Sequence, residues 1–195
     1  MVVELKGAAA GGAGLRYRRA REHLNPHDTR LVPRTGRTAM PLHPGLAPVA
    51  GLLGTWRGDG AGEYPTITPF TYTEELTFTD VGKPFLHYVQ RTWSPAGAPM
   101  HTETGYVRVV GGATVELVLA LPTGQTELAE GPLTVTDDGF TCSLAARVMN
   151  SSSAKQVDAT ERHLTLDGDT LTTRFAMAAV GVPMTGHLTS ELRRV

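Results

Sequence analysis

From Thr68 onward the chain alternates. Phe70, Tyr72, Leu76 and Phe78 share one parity, while Thr71, Thr73, Thr77 and Thr79 hold the other. A period of two marks a strand with one buried face. Phe85 to Trp93, rich in aromatic and β-favouring side chains, reads as the next strand. Thr102–Val110 and Thr114–Leu121 follow, and Gly111-Gly112 between them signals a hairpin. Then come Gln125–Ala129, Leu133–Thr136 and Phe140–Val148, with Asp138-Gly139 turning into the last. Lys155–Leu166 and Thr170–Ala178 flank Asp167-Gly168-Asp169, and His187–Val195 closes the chain. With a first strand near Trp56, roughly ten strands result, each about one hairpin from the next. One short helix is predicted ahead of them, over Pro44–Leu53. Such spacing predicts an antiparallel sandwich or barrel. Closing the sheet removes its edges and leaves room for one ligand inside.

Composition narrows the function classes. The chain has 195 residues, enough for one domain with a real core. With 41% apolar and 19% charged residues it is no wholly disordered chain. A net charge of −1 excludes a protein that coats nucleic acid through overall basicity. The single cysteine, Cys142, excludes a disulfide framework and a cysteine-based zinc site; inside a strand pattern it reads as a buried, inert thiol. No apolar run approaches the length of a membrane helix.

The charge is uneven. Residues 1–41 hold eight basic and three acidic residues, against ten and sixteen in the remainder. This segment also carries the low-complexity run Gly7 to Gly14 and few large apolar residues, so it is expected to be a flexible basic tail. It lacks the apolar stretch of a secretory signal. An Arg-rich transit peptide, an ordinary tail, and translation beginning at Met40 all remain open. Residues 42–195 are the expected functional domain.

Candidate chemistry is sparse. The densest pattern is Gly54-Thr-Trp-Arg-Gly-Asp-Gly60, followed by Tyr64-Pro-Thr-Ile67. It lacks the Lys-Ser/Thr ending and the strand-to-helix setting of a phosphate loop. Gly54, Gly58 and Gly60 therefore read as bends and close backbone approaches, with Trp56 plugging a barrel end. No His-Glu-x-x-His zinc motif exists among the seven histidines. One histidine facing an apolar cavity can hold a haem iron, yet on spacing alone each of His87, His101, His163 and His187 reads rather as a structural or surface residue. Ser151-Ser-Ser153 is a loop with no base at useful spacing.

Several segments together carry more. The run Gly54–Gly60 with Tyr64–Ile67 resembles the G-x-W-x-G-x-G stretch of the nitrobindins. Collinear likenesses follow at Pro69–Glu75, Gly82–Phe85, Glu103–Tyr106, Val115–Ala120, Ala154-Lys155, Met177–Gly181 and His187-Leu188. They span about residues 43–195, closest to the actinobacterial members, and the tail before Met40 has no counterpart. The resemblance implies a ten-stranded antiparallel up-and-down β-barrel like that of fatty-acid-binding proteins. It implies haem b, one per subunit, in the barrel mouth, with His187 as the axial ligand. Lys155 becomes a neighbour of the haem propionates and Thr66 a cavity contact, while His87 and His101 stay unassigned. The implied activity is isomerisation of peroxynitrite to nitrate at a ferric iron, with binding of nitric oxide. The alternative is a non-catalytic carrier or sensor of nitric oxide or of a small apolar ligand. Partners are expected to be small molecules, not nucleic acid or membrane, in the cytoplasm, with a homodimer left open.

Overall fold

A computed structural model describes residues 41–195; Pro41 apart, the tail expectation and a start at Met40 fall outside the described residues. A 3-10 helix, Pro44–Leu52, comes first. Its buried residues are Leu46, Val49 and Leu52, spaced by three, which is the turn of a 3-10 helix and places all three on one face. Pro44 opens it, and the His43 ring accepts a hydrogen bond from the Gly45 amide at 3.1 Å. The predicted helix is thus present, wound more tightly than an α-helix.

Ten strands follow: β1 (Gly54–Tyr64), β2 (Ile67–Lys83), β3 (Phe85–Trp93), β4 (Pro99–Val110), β5 (Thr114–Ala120), β6 (Gln125–Val135), β7 (Gly139–Asn150), β8 (Val157–Asp167), β9 (Thr170–Ala179) and β10 (Val182–Arg194). Each pairs antiparallel with the next, and β10 pairs with β1, so the meander closes into a barrel. The sequence pattern breaks β6 in two around Gly131-Pro132; the chain instead runs through. A side chain at Gly131 would collide with the Ser143 carbonyl, so glycine lets β6 bend tightly onto β7 without ending.

The β1–β2, β3–β4, β5–β6, β7–β8 and β9–β10 connections share one end of the barrel, the mouth. The helix belongs to the other end. There Leu46, Val49 and Leu52 join Trp56, Leu76, Phe78, Phe140, Leu171 and Leu192 in one buried cluster. Trp56 is fully buried; its Nε1 donates to the Leu52 carbonyl at 2.8 Å, and the Arg194 guanidinium lies 4.2 Å over its ring. A buried indole needs such an acceptor. The barrel therefore has a sealed floor and an open mouth.

Candidate functional site

The mouth opens into a cavity of about 460 Å³. His187, Lys155 and Thr66 all border it. Thr66 and Lys155 are exposed at the rim, in the β1–β2 and β7–β8 turns. Gly54, Trp56, Gly58 and Gly60 do not border it. They build the β1 wall and the floor, with Gly60 leaving the room in which the Tyr72 ring lies.

His187 owes its orientation to irregular pairing. On β10, Ser190 and Leu192 face inward and Thr189, Glu191 and Arg193 outward. Simple alternation would turn His187 outward. Between β10 and β9, however, Gly186 pairs with Ala176 and Leu188 with Phe175, so His187 is an extra residue, a β-bulge. A bulge re-aims a side chain, and the imidazole enters the barrel. It packs edge-on to Tyr64 at 5.4 Å and Phe70 at 6.3 Å, and tilted to Phe175 at 6.1 Å between ring centroids.

The ring is also tethered. β1 and β10 stop pairing at Gly62 and Leu188, which leaves the next carbonyl of β1 outside the ladder. That carbonyl, on Glu63, is 2.9 Å from His187 Nδ1. A carbonyl only accepts, so Nδ1 carries a proton, and in the neutral ring Nε2 is the nitrogen with the lone pair. Among the described residues Nε2 has no partner. Tyr64 is fixed as well: its hydroxyl donates to the Met177 and Ala179 carbonyls at 3.2 and 3.3 Å and accepts from the Ala179 amide at 3.1 Å.

The other barrel histidines are occupied otherwise. His87 lies on the outer face against Thr104 Oγ1 at 3.0 Å, and His163 meets Ser143 Oγ at 2.8 Å. His101 borders the cavity, but its Nε2 lies 3.6 Å from Glu103 Oε2. Cys142 is buried, and burial pushes its thiol up to about 11, as expected of an inert cysteine. Among the described residues no three His, Cys, Asp or Glu side chains are grouped to hold a bare metal ion.

A polar belt crosses the cavity, which sequence reasoning missed. Arg162 Nη1 and Nη2 grip both oxygens of Glu103 at 2.8 and 3.0 Å. Its Nε donates to Glu127 at 2.9 Å, and its guanidinium lies 4.8 Å over the Phe175 ring. Tyr88 donates to Glu103 at 2.8 Å, and the Gln90 amide donates to Glu74. Burial alone would push the Glu103 carboxyl up; Arg162, His101 and Tyr88 outweigh it and bring it down to about 2. Glu74 has no cation in contact, and burial holds its carboxyl above the usual range. The signal for this belt was legible: Glu74, Glu103, Glu127 and Arg162 each sit on the apolar parity of a strand.

A closed antiparallel barrel with a tethered imidazole beside an aromatic-lined cavity at its open end has the form of a barrel that takes a small-molecule ligand. Residues 45–194 match the model of the THAP4-like, heme-binding beta-barrel domain. A protein called peroxynitrite isomerase from Nocardia farcinica is 50% identical over 155 residues, covering 78% of this chain and 92% of that one. Peroxynitrite isomerase 2 of Mycobacterium marinum is 48% identical, covering 78% and 96%. The crystal structure of Rv2717c from M. tuberculosis superposes with a TM-score of 0.77 at 46% identity, covering 79% of this chain and 99% of that one. The chain belongs to this haem-binding barrel family, the nitrobindins. No helix among the described residues is long and apolar enough to cross a membrane.

Proposed function

We propose that residues 42–195 isomerise peroxynitrite to nitrate at a ferric haem b, one per chain, bound through His187, and that the same centre binds nitric oxide. The observation that carries this reading is the His187 ring: it borders the cavity, its Nδ1 is committed to the Glu63 carbonyl, and its Nε2 is free. The names of the relatives support the reaction. The lone Cys142, without a Cys-x-x-Cys-His attachment motif, supports a haem held without covalent links.

The residues fit the group. Tyr64, Phe70 and Phe175 flank the imidazole with apolar faces suited to a macrocycle. The Nδ1–H bond to Glu63 sets the tautomer and raises the basicity of Nε2 toward a metal. Lys155 supplies a cation at the rim for carboxylates on the macrocycle, and Thr66 a hydroxyl at the same rim. When bound, the haem supplies a Lewis-acidic iron with a coordination position for the anion. The reaction rearranges one anion and consumes no net proton, so the aromatic surroundings of His187 need no general acid.

The test pairs two measurements. His187→Ala is expected to lose the Soret band and haem affinity of the parent, and the haem-loaded parent to accelerate peroxynitrite decay in stopped flow. An unchanged Soret band in the variant overturns the ligand assignment. Equal decay with and without stoichiometric haem-loaded protein favours the carrier or sensor reading.

A further inference from the structure

Three rings border the His187 imidazole, and each is anchored differently. Tyr64 has its hydroxyl, bonded to the β9 backbone at Met177 and Ala179. Phe70 leans on the Tyr72 ring at 5.9 Å between centroids. Phe175 has no polar handle. Its anchor is the Arg162 guanidinium, 4.8 Å over the ring. Arg162 stands beside it as its cross-strand partner on β8.

Arg162 is itself held from across the interior. Its nitrogens make two hydrogen bonds to Glu103 on β4, at 2.8 and 3.0 Å, and two to Glu127 on β6, at 2.9 and 3.2 Å. In the sheet β8 pairs only with β7 and β9, so these bonds span the barrel instead of following it. The Tyr88 hydroxyl braces Glu103 in turn. A planar guanidinium bonded along two edges has one orientation, and it imposes one on the ring beneath it. Contacts therefore run unbroken from the β4 and β6 walls through Arg162 and Phe175 to His187 on β10.

Stability alone does not call for such a network. Arg162, Glu103 and Glu127 are all buried. Desolvating three charges offsets most of what their pairing contributes, and well-packed apolar side chains often hold a core as well. What the network adds is direction. The Glu63 carbonyl fixes where Nδ1 points, yet one hydrogen bond leaves the imidazole free to rock about it.

We propose that Arg162 is a positioning residue: clamped by Glu103 and Glu127, it locks the Phe175 ring and, through that ring, the plane of the His187 imidazole. Its value to function rests on the reading of His187 as the haem ligand. An imidazole already held in one plane binds without an ordering cost and keeps Nε2 aimed at the metal. The contacts themselves need no haem, so they can be tested without it.

Arg162→Met alone would strand two carboxylates in the interior. The informative variant is therefore the triple Glu103→Gln, Glu127→Met, Arg162→Met, which removes all three charges and keeps an acceptor for Tyr88. Phe175→Leu is its companion: it leaves the ion network whole and removes only the ring. The first measurement uses haem-free full chain and reads the carbon-relaxation order parameter of the His187 ring. The parent ring should be as ordered as rigid backbone, ~0.85, and both variants should fall toward the flexible range, below ~0.6. The urea midpoint of the triple variant should stay close to that of the parent. The second measurement uses haem-loaded protein. Both variants should lose haem to excess apomyoglobin about tenfold to a hundredfold faster, with a broadened iron–imidazole stretching band in the resonance Raman spectrum of the reduced protein.

Three results overturn the proposal. One is a His187 ring as ordered in both variants as in the parent. Another is disorder in the triple variant with a parental ring in Phe175→Leu, since Arg162 would then not act through Phe175. The third is a triple variant that unfolds while Phe175→Leu keeps parental ring order and haem loss, which makes the network merely structural. Failure of the ligand assignment looks different: the ring loosens in the haem-free arm while the Soret band ignores His187→Ala.

Discussion

The two ends of this barrel use aromatic residues for opposite purposes. At the floor, Trp56 is wholly buried, satisfied by the Leu52 carbonyl, and packed under a helix with an apolar face. At the mouth, Tyr64, Phe70 and Phe175 surround an imidazole and leave a cavity beside it. One cluster fills space; the other frames it. The difference teaches that the filled apolar cluster and the open cavity are separated along the barrel axis, with the charged belt between them.

The largest expected effect breaks the floor alone. Trp56→Ala removes a fully buried indole and should lower unfolding stability by about 3–5 kcal/mol. The Soret spectrum of the protein that remains folded should match the parent. His187→Ala should do the reverse, with the haem-free urea midpoint little changed. If Trp56→Ala shifts the Soret band as His187→Ala does, the two ends are coupled and the separation fails.

The belt sharpens the comparison through pH. The Glu103 carboxyl titrates near 2 in the folded barrel, against 4.5 when unperturbed. A depressed carboxyl stabilises the fold above its unfolded pKa, and that stabilisation disappears as pH falls from about 4.5 toward 2. The contribution is of order 3 kcal/mol. Glu74 acts with the opposite sign. Its raised value means that its protonated form is the stabilising one, so its contribution is full below about 4.5 and lost as pH rises through the folded value. Urea midpoints measured across this range should show a steep acid limb in the parent and a flatter one in Glu103→Gln. Glu74→Gln should keep the acid limb and remove the decline on the neutral side. Parallel curves for all three proteins would show that the belt does not titrate this way.

Much of this fold was legible because β-structure writes itself as alternation. Phe70, Tyr72, Leu76 and Phe78 share a parity, and all four face inward. The helix was legible from Pro44 and its apolar run, but its 3-10 winding shows only in the three-residue spacing of Leu46, Val49 and Leu52. Gly131-Pro132 misled, because glycine and proline mark turns more often than they mark bends within a strand. The site divides in the same way. His187 was singled out only through the family likeness; alternation alone would turn it outward, since Thr189, Glu191 and Arg193 on its parity point outward. Only the bulge, which depends on pairing with β9, reverses it. The belt was visible as charge on apolar parities, yet its pairing joins Glu103, Glu127 and Arg162 from three different strands, and no local pattern carries that.

The smallest effect probes how tightly the mouth is built. A methyl on Gly62 would lie 2.4 Å from Phe70 Cζ and 2.9 Å from Leu188 Cδ2, so the Phe70 ring must move. That ring packs on His187 at 6.3 Å, and Leu188 is the residue after the bulge. Gly62→Ala should therefore cost only ~1–3 kcal/mol of stability, as overpacking does. Its larger signature should be at the ligand, as weaker haem binding and a displaced Soret maximum. This is the converse of Trp56→Ala, where stability falls and the spectrum holds. A Gly62→Ala protein with parental haem affinity and spectrum would mean that Phe70 yields without disturbing the imidazole. The orientation of His187 would then rest on the Glu63 carbonyl and the bulge, not on the ring beside it.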